Sequence, residues 1–190
     1  RLHGLFRSVE LTAQPHVHVE NMQLEADWDA ESGTASLDAA LSVRNASDAA
    51  TISATLKDSE GNVVWETSTN ADANTTFASG SLQGLEPWSA ESPSLYELEV
   101  NVIDQTGDIV EAVVQKVGFR RFRIENGIMT LNGKRVVFKG ADRHEFDAKR
   151  GRSITEQDMI DDVIFCKRHN INAIRTSHSV SYTHLTLPTI

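Results

Sequence analysis

Apolar and polar residues alternate along most of the chain before Gly118, and this period of two constrains the fold more than any other feature. The alternation is clear in residues 18–26, 35–43, 51–56 and 95–103. Successive side chains of a β-strand point to opposite faces, so the pattern predicts strands with one face on a core and the other in water.

Turn residues separate these runs. Gly61 and Gly107 each lie between two runs, and glycine permits the positive φ that a tight return needs. About seven short strands in roughly 100 residues predict a two-sheet sandwich of the immunoglobulin-like type. The predicted core is formed by Leu24, Leu41, Val43, Ile52, Leu56, Val64, Trp65, Leu98, Val100, Val102 and Val113.

After Gly118 the alternation gives way to a strand–helix–strand pattern. An Asn-Gly pair at 132–133 predicts a hairpin first. Residues 135–140 predict a strand, and a polar loop follows it. The segment Ser153–Glu156 predicts the capping box of a helix, and residues 171–175 predict a short buried strand.

Polar residues lie near the ends of the two predicted strands. Parallel strands joined by a helix are the repeating unit of a βα barrel, whose chemistry lies at the C-terminal ends of its strands. His144 follows the first strand, and Arg175 and His178 close the second. The pattern therefore predicts that these three side chains converge on one face. For His144, a surface loop with a local charge cluster is an equally good interpretation.

Other candidate groups are weaker. The carboxylates of Asp142 and Glu145 are only three residues apart on one loop, which favours a loop role over an acid/base pair. His16 and His18 alternate on a strand without a third ligand nearby, so an exposed strand face is favoured over a metal site.

Charge and cysteine content exclude several classes of protein. The chain has 18 Lys and Arg against 27 Asp and Glu, a net charge of −9, which disfavours a nucleic-acid partner. Cys166 is the only cysteine, which excludes an internal disulfide framework and favours a reducing, cytoplasmic compartment. No apolar run approaches the roughly 18 residues of a membrane helix, so we expect no membrane partner.

Several segments together resemble glycoside hydrolase family 2 and, within it, the bacterial β-galactosidases. They include the end of the family's N-terminal jelly roll, a marker of its immunoglobulin-like domain, and the first two strands of its barrel. The matching residues are 4–7, 88–96, 117–120, 131–134, 139–146 and 170–178.

The resemblance implies an all-β immunoglobulin-like sandwich followed by the truncated start of a (β/α)8 TIM barrel. We expect residues 1–15 to be the last strand of an N-terminal jelly-roll sugar-binding domain, residues 16–118 the sandwich, and residues 119–178 the start of the catalytic barrel. The chain is then an internal piece of a longer protein.

Residues 179–190 depart from the family pattern. The family expects Tyr-Pro after His178, whereas Ser179 and Val180 stand there. Back-translation of residues 180–189 resembles a transposase adapter used to build sequencing libraries. We therefore expect the tail to be adapter read-through and not native sequence.

The family hydrolyses β-glycosides with retention, using two glutamates on later barrel strands. Neither glutamate lies in this chain, so we expect no catalytic residue here and no activity of this polypeptide alone. Substrate binding carries over: His144 matches the histidine after the first barrel strand, and Arg175 and His178 match the arginine and histidine after the second. In the family these residues line the galactosyl pocket.

The resemblance also implies properties of the parent protein. They are a β-galactoside substrate, Mg²⁺ and Na⁺ as cofactors with ligands that are not identifiable here, and a homo-oligomeric state. One alternative is β-glucuronidase of the same family, which usually has Lys at the position of Arg143. Another is a non-catalytic carbohydrate-binding sandwich, against which the strand–helix–strand unit argues.

Overall fold

A computed structural model gives the fold of residue 9 and residues 11–177, with only the backbone of Ser177. Residues 13–135 form one compact unit, and residues 136–177 belong to a second. Most of the segment predicted as a jelly-roll strand, residues 1–15, lies outside the described residues, as does the whole tail 179–190. The predicted domain boundaries stay predictions.

The first unit contains a β-sandwich, and this part of the predicted fold is confirmed. One antiparallel sheet has the order β1-β2-β5 and the other the order β4-β3-β6-β7. The strands are β1 (His18–Asp29), β2 (Thr34–Arg44), β3 (Ala49–Lys57), β4 (Val63–Asn70), β5 (Asn74–Ala78), β6 (Tyr96–Asp104) and β7 (Ile109–Val117). A short 3-10 turn, Ala46–Asp48, connects the first sheet to the second.

The core lies between the two sheets. Ile52, Leu56 and Leu98 have no exposed surface, because the alternation of β3 and β6 turns them inward. Leu24, Val64, Trp65 and Val113 are half-buried and pack against this core, whereas the other predicted core residues are buried. Phe119 is also buried, although it lies in a segment without alternation. Its ring packs edge-on against Tyr96, with the centroids 5.3 Å apart.

A three-stranded sheet with the order β10-β9-β8 follows the sandwich within the same unit. Its strands are β8 (Phe122–Glu125), β9 (Ile128–Leu131) and β10 (Lys134–Arg135). Asn132 and Gly133 both have positive φ, 50° and 74°, which matches the predicted hairpin turn. A second Asn-Gly turn, at 126–127, joins β8 to β9 and was not predicted.

Polar contacts tie this sheet to the sandwich at a site that we call the Trp88 junction: Asp27, Trp88, Gly118, Arg121 and Asn132. Arg121 Nε donates to both carboxylate oxygens of Asp27 at 2.8 and 2.9 Å. Asn132 Nδ2 donates to the Trp88 carbonyl at 3.0 Å, and Asn132 Oδ1 accepts from the Arg121 amide at 2.8 Å. The sheet is therefore held by side chains as well as by chain connectivity.

The second unit contains β11 (Gly140–His144), α1 (Glu156–Arg168) and β12 (Ala173–Ser177), with β11 and β12 paired in parallel. The predicted strand–helix–strand order is therefore correct, but both strands begin later than predicted. Residues 137–139 form no strand, and their backbone bonds to the Asn172 side chain instead: its Oδ1 accepts from the Lys139 amide at 2.7 Å and its Nδ2 donates to the Val137 carbonyl at 3.0 Å.

The N-cap of α1 lies two residues after the predicted one. Thr155, not Ser153, is the N-cap, and Asp158 is its capping-box partner. Hydrogen bonds from Thr155 and Arg150 lower the pKa of Asp158 to about 2. Asn170, in the left-handed conformation at φ 56°, follows the helix. Within the part of the chain that the structure describes, no helix is long and apolar enough to cross a membrane.

Candidate functional site

The pairing of β11 with β12 decides which side chains meet. Asp142 pairs with Arg175, and His144 pairs with Ser177. Paired residues of neighbouring strands point to the same face of a sheet, as do residues two apart on one strand. Asp142, His144 and Arg175 therefore share one face, which we call the polar face.

The opposite face of the strand pair carries Arg143 and meets the helix. Arg143 Nε and Nη2 each approach Asp162 Oδ2 on α1 at 2.7 Å, and Arg143 Nη1 lies 3.9 Å from Glu145 Oε1. The Arg143 side chain is only 14% exposed, and Glu145 is buried. These contacts attach the strand to the helix and leave the polar face to other partners.

On the polar face, the side chains are open to solvent. Arg175 Nη1 lies 3.7 Å from Asp142 Oδ1, with the two side chains 83% and 65% exposed. His144 is exposed as well. Arginine supplies several N–H donors and histidine can donate or accept, so this face can hydrogen-bond a ligand rich in hydroxyl groups.

The loop after β11 is fixed to the start of α1. Asp147 and Gly151 exchange backbone hydrogen bonds of 2.7 and 2.8 Å, which close the loop on itself. Arg150 Nη2 donates to Asp158 Oδ1 at 2.6 Å. Hydrogen bonds from the backbone amides of Arg150 and Lys149 hold the pKa of Asp147 below its usual value. The loop beside the C-terminal end of β11 is therefore ordered by local bonds.

The predicted site residues are placed as follows. His144 is the last residue of β11, not a loop residue, and Arg175 lies in the middle of β12, not at its end. Both differences arise because the strands run further along the chain than their apolar residues indicate. His178 lies outside the described residues. A sugar-binding role of these residues stays a prediction.

Two other candidates are separated by the same geometry. Glu145 contacts Arg143 on the helix side, whereas Asp142 lies on the polar face, so the two carboxylates are directed to different sides of the strand pair. Arg143, used above to distinguish galactosidase from glucuronidase, faces the helix. The residue missed by the sequence analysis is Asp142 as the partner of Arg175, which only the strand register reveals.

The histidines near the start of the sandwich have separate protein partners. His16 Nε2 lies 3.3 Å from Asp48 Oδ2, and His18 Nδ1 lies 2.7 Å from the Pro15 carbonyl oxygen. Among residue 9 and residues 11–177, no three His, Cys, Asp or Glu side chains are grouped as metal ligands. Within this part of the chain we therefore assign no ligand set for Mg²⁺ or Na⁺.

Two family descriptions match the chain. "Glycosyl hydrolases family 2" matches residues 17–120, and "Glycosyl hydrolases family 2, TIM barrel domain" matches residues 122–185. The second match confirms the prediction that the chain includes part of a barrel domain after the sandwich. It also runs past His178 into the predicted adapter tail, whose origin stays a prediction.

Relatives of known name agree with the family. The chain is 63% identical over 183 residues to "Beta-galactosidase BgaC" of Bifidobacterium adolescentis, covering 94% of this chain and 17% of the relative. It is 46% identical over 184 residues to a "Beta-galactosidase" of Streptococcus thermophilus, covering 96% and 18%. The chain thus spans less than a fifth of the length of these curated relatives.

Solved structures show the same architecture. The apo structure of Bacteroides uniformis β-glucuronidase 3 has a TM-score of 0.83 and 31% identity, covering 96% of this chain and 23% of that one. A Parabacteroides merdae β-glucuronidase has a TM-score of 0.80 at 23% identity, covering 92% and 23%, which shows the fold alone. With its sandwich and barrel segments both matched, the chain belongs to glycosyl hydrolases family 2.

Proposed function

We propose that this chain is part of a retaining β-galactosidase that hydrolyses terminal β-D-galactosides, and that its polar face binds the galactosyl group. The observation that carries the proposal is the shared face of His144 and Arg175. The names of the most similar relatives support the substrate class: 63% identity to a β-galactosidase stands against 31% to a β-glucuronidase.

The chemistry of the polar face suits sugar binding. The N–H groups of Arg175 and the imidazole of His144 can hydrogen-bond to sugar hydroxyls. Bonds that strengthen as the ring flattens toward an oxocarbenium-like state lower the barrier, whereas bonds of equal strength in both states do not raise kcat. The proposal assigns no acid/base role to these residues. A retaining enzyme uses two carboxyl groups for that chemistry, one on each side of the scissile glycosidic bond.

β-Glucuronidase is the second candidate, and one observation favours it: the solved structures that resemble the chain include β-glucuronidases. A glucuronide carries a carboxylate, which an uncompensated cation would bind strongly. On the polar face the cation of Arg175 already lies beside the Asp142 carboxylate. This pairing favours a neutral sugar. The non-catalytic carbohydrate-binding sandwich has no comparable support.

The remaining properties implied by the family are part of the proposal. For the parent protein they are Mg²⁺ and Na⁺ as cofactors, a homo-oligomeric state and a cytoplasmic location. For this polypeptide alone, the proposal is that it holds no cofactor and has no activity.

Chimeric enzymes test the proposal. Residues 1–178 would replace the matching segment of the B. adolescentis β-galactosidase and, in a second chimera, that of B. uniformis β-glucuronidase 3. We expect turnover of nitrophenyl β-galactoside by the first chimera and no turnover of nitrophenyl β-glucuronide by the second. Folding of both is checked by circular dichroism.

A point variant of the first chimera tests whether the polar face contributes to its activity. His144→Ala in the first chimera should lower kcat/KM about ten- to a hundredfold, the effect of about 1–3 kcal/mol from one hydrogen bond. A folded first chimera without activity would overturn the proposal. Activity of the glucuronidase chimera alone would favour the second candidate.

A further inference from the structure

The polar face contains a pair that neither the strand–helix contacts nor the loop contacts use. Arg175 and Asp142 lie at the same level of the parallel strand pair, with Nη1 and Oδ1 3.7 Å apart. We propose that Asp142 is a positioning residue that restrains the Arg175 guanidinium in the orientation that meets the sugar. This inference rests on the proposed function of the polar face.

A restraint on Arg175 matters because its side chain is long and exposed. An arginine side chain loses much rotamer freedom when it is ordered, and binding is weakened by that loss unless the side chain is already restrained. Neighbouring strands lie about 4.8 Å apart, so the register places the side chains of Asp142 and Arg175 next to each other. Asp142 therefore limits the volume that the guanidinium explores before a sugar binds.

Arg143 and Arg175 differ in how many of their N–H donors the protein itself uses. Arg143 directs two nitrogens at Asp162 at 2.7 Å, and its side chain is 14% exposed. Among the described residues, Arg175 contacts Asp142 through one looser ion pair, and its side chain stays open to solvent. An arginine with a single loose contact keeps most of its N–H donors for a ligand, whereas one that directs Nε and Nη2 at the same carboxylate oxygen has two of them occupied. Arg143 serves packing, and Arg175 is held but available.

The pair also fixes the charge that a ligand meets. The Asp142 carboxylate compensates the Arg175 guanidinium, so a neutral sugar meets no surplus charge from this pair. Without the Asp142 charge, Arg175 becomes an uncompensated cation, which attracts a carboxylate. Removal of the charge should therefore change the preference between a neutral sugar and its uronic acid, an effect that lost packing would not produce.

A double-mutant cycle in the B. adolescentis chimera tests the inference. Asp142→Ala should lower kcat/KM on the β-galactoside about two- to fivefold, which is the size of effect expected when one exposed ion pair is lost. In the Arg175→Ala background the same change should have no further effect. Asp142→Glu should restore most of the activity, because it returns the charge. Asp161→Ala, an exposed carboxylate on α1, is the matched control and should change nothing.

Inhibition adds a second readout. In Asp142→Asn, the inhibition constant of galacturonate should fall several-fold relative to that of galactose, with the melting temperature unchanged. Equal losses from Asp142→Ala with and without Arg175, or an unchanged ratio of the inhibition constants, would overturn the positioning role. An unsubstituted, folded chimera without galactosidase activity would instead overturn the proposed function, and this inference with it.

Discussion

The two units of the chain differ in how completely they bury their own apolar residues. In residues 13–135, the central side chains of both sheets lie in a shared core. Among residues 136–177, Ile154 and Met159 are the buried apolar side chains, whereas Phe146 and Phe165 are 67% and 58% exposed. The unit that carries the candidate site is thus the less self-sufficient one. Stability and function are assigned to different parts of the sequence.

The largest expected effect is on folding itself. A polypeptide of residues 13–135 should fold alone, because its sandwich is closed by burial on both sheets. A polypeptide of residues 136–178 should not, because a two-stranded parallel sheet under one helix leaves apolar surface in water. Circular dichroism with urea titration checks both. A cooperative unfolding transition of residues 136–178 would show that both units can fold alone.

Limited proteolysis of the whole chain sharpens the boundary. Arg121 and Asn132 bond to Asp27 and Trp88, so the protected product should extend to about residue 135. The sequence alone led us to expect a boundary near Gly118. A stable product that ends near Gly118 would show that the Trp88 junction adds no protection against proteolysis.

Truncation of an apolar side chain should destabilise the sandwich core far more than the exposed part of α1. Leu98 is fully buried on β6, so Leu98→Ala should lower the free energy of unfolding by about 2–5 kcal/mol. Ile164→Ala, on the exposed part of α1, should change it by less than about 0.5 kcal/mol. Urea unfolding of the whole chain measures both, and similar losses would contradict the comparison.

The Trp88 junction should give an intermediate effect. A Cβ at Gly118 would lie 3.0–3.1 Å from side-chain atoms of the buried Trp88. Gly118→Ala should therefore cost about 1–3 kcal/mol through overpacking. Gly140→Ala is the matched control, since its Cβ would meet nothing closer than 3.5 Å. A control loss as large as that of Gly118→Ala would refute the steric explanation.

The smallest expected effect is the acid response of α1. Hydrogen bonds from Thr155 keep the pKa of Asp158 at about 2, below its ordinary 3.8. A lowered pKa contributes stability that is present above about pH 4 and is lost as the pH falls toward 2. Helicity measured by circular dichroism should decline in this window, and Asp158→Asn should decline less. Identical curves for the two proteins would argue against the cap.

Much of the sandwich follows from local patterns, because alternation and glycine turns act within a few residues. The buried Phe119 was missed because its partners are far away in the sequence: its ring packs on Tyr96, and its carbonyl accepts from the Trp88 amide. Strand β11 was read as a loop because its polar side chains, Asp142 and His144, show no apolar face. Polar strands at a functional site oppose the pattern from which strands are predicted.

The candidate site was predictable only in part. The resemblance identified His144, Arg175 and His178, and the crossover predicted that the strands are parallel. The pairing of Asp142 with Arg175 depends on a register that a shift of two residues would change. The Asp162 contact of Arg143 depends on the rotation of α1 about its axis, which the apolar spacing of this helix does not define.

The side-chain amide of Asn172 takes the place of a peptide group from a neighbouring strand, because it both donates one hydrogen bond and accepts another. Its Nδ2 donates to the Val137 carbonyl, and its Oδ1 accepts from the Lys139 amide. Deamidation would replace the donor by a second carboxylate oxygen, which can only accept. Two acceptors would then face each other at Val137, while the bond to Lys139 survived. Chemical ageing of a single side chain would thus loosen the entry to β11 from one side only.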